Sequence, residues 1–165
     1  MAVEVENILH GSCTVTVDGA TDVGYTQGGV QLRKDRTMLD VEADQAAGIV
    51  KKGVVMERFY IVFTMLEASV ANLLMAMAEP PANTAGSGDL EFGSASPPAT
   101  EHTLTIAGPG PADVTRTYIF YRCVVSEGLE TNLGSRTEVS LLPVTFELLK
   151  DSNQDDAVGY YEDSA

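Results

Sequence analysis

The chain has 165 residues, 44% of them hydrophobic, with 24 acidic against 10 basic side chains and a formal net charge of −14. That length fits a single domain, residues 1–165, with room for a sizeable core. So acidic a balance argues against nucleic acid as a bound partner, because phosphate binding needs lysine and arginine to neutralise the backbone.

Cys13 and Cys123 are too few for a disulfide scaffold and read as small buried hydrophobes. Glu4 and Glu6 stand where a secretory signal would carry basic residues. Charges break every apolar run well short of the roughly 20 residues that a membrane-spanning helix needs.

Cys13, Val15 and Val17 alternate with Ser12, Thr14 and Thr16, the pattern of a half-buried strand. "VDGATDVG" then turns the chain, and Gly24, Gly28 and Gly29 read as turn and bulge positions. Val30 and Leu32 face inward with Gln31 and Arg33 outward, and "KDR" is short enough for a hairpin loop. The return strand, 37–44, sets Asp40, Glu42 and Asp44 on one face and Leu39, Val41 and Ala43 on the other. One apolar and one charged face suit an antiparallel sheet that is wet on one side.

Residues 45–53, "QAAGIVKKG", follow neither a strand nor a helix period and are expected to form a projecting loop. Ala46, Ile49 and Val50 beside Lys51 and Lys52 make a mixture suited to a partner surface. A long strand is expected over 54–66, with Phe59, Ile61, Phe63 and Met65 on one face. Tyr60, Val62 and Leu66 make its other face apolar too, so that face needs a cover. Residues 67–78 supply one: Val70, Leu73, Leu74 and Met77 have the spacing of one helix face, and Pro80 and Pro81 stop it.

Residues 79–100 form a low-complexity insert, expected to be an exposed loop, whose only large apolar residues are Leu90 and Phe92. Strands are expected at 102–106, at 115–125 after the turn "GPGPAD", and at 136–149. In the last, the apolar set slips from Val139 and Leu141 to Val144, Phe146 and Leu148, as a bulge at Pro143 would produce. Residues 151–165 read as an acidic, solvated tail. The chain is therefore mainly β with one helix laid across a sheet.

No pattern for chemistry emerges. His10 and His102 lack metal-ligand partners at a familiar spacing, and no nucleophile elbow, phosphate loop, dinucleotide fingerprint or zinc motif occurs. Asp151, Asn153, Asp155 and Glu162 match positions 1, 3, 5 and 12 of a calcium loop, but Asp156 stands where that loop needs glycine. The expectation is a non-enzyme without metal or cofactor.

The succession "VGYTQGGVQL…LDVEADQ", "ERFYIVFTMLEASVANLLMAM" and "LPVTFELLKDSNQDDAVGYYEDSA" resembles the tail tube (major tail) protein of long-tailed bacteriophages. The resemblance implies a two-sheet β-sandwich, barrel-like, with one short flanking helix. It also implies a structural protein of the virion tail, made in the host cytoplasm, whose hexameric rings stack into a hollow tube. DNA would pass through the tube during ejection without being specifically bound. Other tail proteins (tape measure, terminator and distal tail) would be its partners, and no membrane is involved. On this reading 45–53 reaches the adjacent ring, and Asp40, Glu42 and Asp44, with Gln31 and Arg33 on the paired strand, line the bore as a surface that repels phosphate. The bland alternative for those carboxylates is an ordinary solvated face. The tube of a contractile tail or secretion-type system, and a monomeric β-sandwich binding module, are the rival functions.

Overall fold

The computed structural model describes residues 11–42, 48–79, 99–132, 134, 137 and 139–164. The alternation read around Cys13 becomes β1 (Thr14–Val17), with Val15 and Val17 inside. A tight turn carries it into β2 (Thr21–Asp22), and two long strands follow, β3 (Thr26–Glu42) and β4 (Ile49–Met65). A short helix, α1 (Val70–Ala76), precedes β5 (His102–Pro109), β6 (Thr115–Val125), β7 (Leu142–Leu148) and β8 (Gly159–Ser164). All pairings are antiparallel, in the order β2-β1-β5-β6-β7-β4-β3, with β8 also on β6.

Hydrogen bonding is thus continuous through one sheet, where two had been expected. In a flat sheet β1 and β4 would lie four steps apart, about 19 Å at roughly 4.8 Å per step. Yet Val15, Val17, Leu104 and Ile106 share one core cluster with Ile61, Phe63, Val144 and Phe146. The sheet therefore curls until its halves face each other, which is how one sheet does the work of a sandwich. Where the curl stays open, a groove of about 320 Å³ separates Val30, Leu32 and Ile61 from Ile106, Tyr118 and Phe120.

Gly28 and Gly29 both take positive φ, 79° and 81°, where the β3–β4 register shifts between Gln27 and Gln31. Their side-chain-free backbone permits that irregularity. The strand expected from residue 136 starts instead at Leu142 and runs with no register shift against β4, so Pro143 is not a bulge. Leu142, Val144, Phe146 and Leu148 alternate inward from its first residue, while Val139 lies exposed before it.

The helix is shorter than the expected 67–78. Ser69 caps it, its hydroxyl accepting from the Asn72 amide at 3.2 Å, and left-handed Ala78 ends it before Pro80 and Pro81. Its buried residues are Asn72, Leu74, Met75 and Ala76; Leu73 and Met77 are half-buried, and Val70 is 42% exposed. The expected face is therefore rotated. Asn72 sets the rotation: its side-chain amide donates to the Val23 carbonyl at 3.0 Å and the Glu67 carbonyl at 2.9 Å. That anchor turns Asn72, Met75 and Ala76 (i, i+3, i+4) to the body and leaves Val70 outside. Met75 and Ala76 join the core that holds Phe63 and Phe146. On the other face of β4, Tyr60 is covered by the Arg33 guanidinium, 4.5 Å from its ring centre.

Candidate assembly surface

Only the inner part of β4, from Phe59 to Met65, pairs with β7. Beyond Phe59, among the described residues, the β3–β4 ribbon continues as two strands alone, paired out to Glu42 opposite Ile49. All of 31–42 is exposed, and so is 48–58 apart from half-buried Gly53.

"KDR" is not a turn. Lys34, Asp35 and Arg36 sit in mid-strand, opposite Phe59, Arg58 and Glu57. With no glycine, proline or asparagine to break it, the strand runs on, and its charges find cross-strand partners. Lys34 and Arg36 both bind the Glu57 carboxylate, Lys34 at 3.2 Å, and Lys52 pairs with Asp40 at 3.0 Å. The Lys34 hydrogen bond, then Arg36, holds the Glu57 carboxyl below its ordinary range. The expected loop 45–53 is likewise, from Ile49 onward, the first part of a strand. Ala43, Asp44, Gln45 and Ala46 lie outside the described residues, as do His10, Leu90 and Phe92.

Strand alternation divides the set of residues expected to line the bore. Asp40 and Glu42 share a face of β3 with Leu32, Lys34 and Arg36, whereas Gln31 and Arg33 lie on the opposite face of the same strand. These candidates had been assigned to two paired strands forming one surface; with no turn at 34–36 they lie on one strand, and its pleat separates them. Two register shifts on the arm give β4 an extra residue at Val55 and at Val50, which adds local twist.

The arm carries an unusual mixture. Leu39, Ile49, Val50, Val54, Val55 and Met56 are all exposed large hydrophobics. Residues 33–58 also hold six of the ten basic side chains and five of the 24 acidic ones, a net charge of +1 that leaves −15 on the rest of the chain. Exposed ion pairs contribute only about 0.2–1 kcal/mol each, and a lone two-stranded hairpin is marginal in water. A ribbon with open edges and apolar side chains on both faces can bury them only against another molecule.

The expected acidic tail also departs from its reading, since 159–164 forms β8. Arg116 holds it through two hydrogen bonds to Asp163, at 2.6 and 2.8 Å, and lies over the Tyr161 ring at 4.5 Å. The same hydrogen bonds raise the Arg116 pKa and lower that of Asp163. Tyr161 meets Tyr118 and Tyr160 meets Tyr121, with ring centres 5.9 and 5.8 Å apart. Ahead of β8, the Asp151 carboxylate accepts from the Asn153 amide at 3.0 Å, and Asp155 and Asp156 take left-handed φ of 53° and 60°. Asp151 thus caps a turn. Nothing in the sequence marked β8 as paired, because its short "GYYEDS" lacks alternation.

Among the described residues no cluster of three or more His, Cys, Asp or Glu is placed to hold a metal ion, and no helix is long and apolar enough to cross a membrane. Burial pushes the Cys123 thiol up to about 12, far from a nucleophile's range. A search of curated proteins found no match. A family model described as "Phage tail tube protein" matches residues 9–165, nearly the whole chain. The chain belongs to that family. The phage tail tube family is structural and not enzymatic, which places this tail tube protein in the virion tail, assembling with itself and with other tail proteins.

Proposed function

We propose that this tail tube protein forms closed rings of six copies that stack into a hollow tube, the conduit for phage DNA during ejection, and that the β3–β4 arm is the contact between stacked rings. The observation that carries this reading is the arm itself, which offers the exposed Ile49, Val50, Lys51 and Lys52 to a neighbour; Ala46, the remaining candidate of this stretch, lies outside the described residues. A head-to-tail interface that closes yields rings, and a second contact along the axis turns rings into a tube. Asp40, Glu42 and Asp44 are the candidates for an acidic row toward the bore. Gln31 and Arg33 belong to the other face, and Lys52 offsets Asp40.

Thr37 faces Met56 in the register, so replacing 38–55 by an Asn-Gly turn closes a shorter hairpin without disturbing the body. The shortened protein is expected to remain folded by circular dichroism and to give no tubes by negative-stain microscopy. Tubes at normal yield would remove the arm from the stacking contact.

A further inference from the structure

We propose that β8 of one copy pairs edge to edge with the basic stretch of β3, residues 31–36, of a second copy. This rests on the reading above that the chain assembles with itself, and it names which strands meet.

Among the described residues both edges are open: β3 ends the strand order, and β8 bonds only to β6. Open edges of this kind pair with another chain unless something blocks them. Their charges are opposite. β8 holds two carboxylates, Glu162 and Asp163, and no basic side chain, whereas 31–36 hold three cations and one carboxylate. Within the arm, Lys34 and Arg36 share the single Glu57 carboxylate, so the stretch keeps an excess of positive charge. Two β8 edges would set carboxylates against carboxylates, which disfavours a symmetric pair, and a β3–β8 contact is the combination that attracts. It is also heterologous, the kind that propagates from copy to copy and can close into a ring.

The six residues of β8 extend about 20 Å, which fits within the 17 residues of β3. Asp163 is committed to Arg116, which leaves Glu162, on the opposite face of β8 beside Tyr160, to meet a β3 cation. Tyr160 is 45% exposed and gives a guanidinium a ring to stack on, as Arg116 already does on Tyr161.

The test reverses charge on each side. Glu162→Lys alters β8. The triple change Lys34→Glu, Arg36→Glu, Glu57→Lys reverses the arm while preserving its internal ion pairs. Assembly of the full chain is followed by sedimentation velocity and light scattering against protein concentration. Each variant alone should raise the concentration for half-assembly by about tenfold or more, and the two combined in one chain should return it to within about threefold of wild type. Single variants that assemble like wild type, or a combined chain no better than the worse single one, would overturn the pairing while leaving the tube reading intact. A wild-type chain that does not self-associate at any concentration would overturn both.

Discussion

Asn72 offers the sharpest test of how the helix is held. Its side chain is 2% exposed, and both partners of its amide, the carbonyls of Val23 and Glu67, are acceptors. Its NH2 group must therefore face them, and its own oxygen is left without a hydrogen-bond partner. Replacing Asn72 by alanine removes two hydrogen bonds, about 1 kcal/mol each. It also strands the carbonyl of fully buried Val23, which raises the expected cost to about 2–4 kcal/mol. For a chain of this length that lowers the melting temperature by roughly 5–12 °C.

Asn72→Asp separates this account from simple packing, since the shape is kept and a carboxylate is aimed at two carbonyl oxygens. Its folded pKa must rise, because ionisation inside is resisted by burial and by those oxygens. A group whose folded pKa is raised gives its best stability below the unfolded value, about 4 for aspartate, and loses it as pH climbs through the folded value. At pH 7 the aspartate variant should be less stable than the alanine variant by about 2 kcal/mol, and this gap should shrink toward pH 4. Urea unfolding followed by far-ultraviolet circular dichroism at both pH values reads it out. An alanine variant within about 0.5 kcal/mol of wild type, or an aspartate penalty that does not change with pH, would refute the anchor.

Leu74→Ala should cost about 2–4 kcal/mol from an 8% exposed site, while Val70→Ala, at 42% exposure, should stay within about 0.5 kcal/mol; equal losses would mean the helix is rotated differently. At Gly159 an added methyl would meet the Ile119 carbonyl oxygen and approach a Phe120 ring carbon to 2.7 Å. Gly159→Ala should therefore destabilise by about 1–3 kcal/mol and speed amide exchange in β8 first, and unchanged exchange there would contradict the close packing.

Where side chains alternate over a core, the fold was legible from the chain. Thr14–Val17 and the inner half of β4 came through because period-two burial leaves its trace in residue type. The arm did not, for a physical reason. A ribbon exposed on both faces has no inside and outside within its own chain, so 34–36 and 49–53 lacked the alternation that marks a strand. The helix face was misjudged because a polar residue, Asn72, fixes the rotation, and an apolar pattern cannot register that. Asp40 and Glu42 do lie two apart on one strand, but the pleat that places Asp40 with Lys34 and not with Arg33 depended on finding the strand unbroken.

Crowding most of the basic side chains onto the arm has a consequence for proteolysis. Trypsin cuts after lysine and arginine in extended, accessible backbone, and six of the chain's ten such sites fall within 33–58. The isolated chain thus presents its cleavage sites on the segment least supported by its own core, while Arg116 and Arg122 are half-buried in a strand of the body. A brief digestion severs the arm before the body loosens. If assembly covers the arm as proposed, it hides those bonds, and the rate of that first cut would report, copy by copy, how much of a preparation is still unassembled.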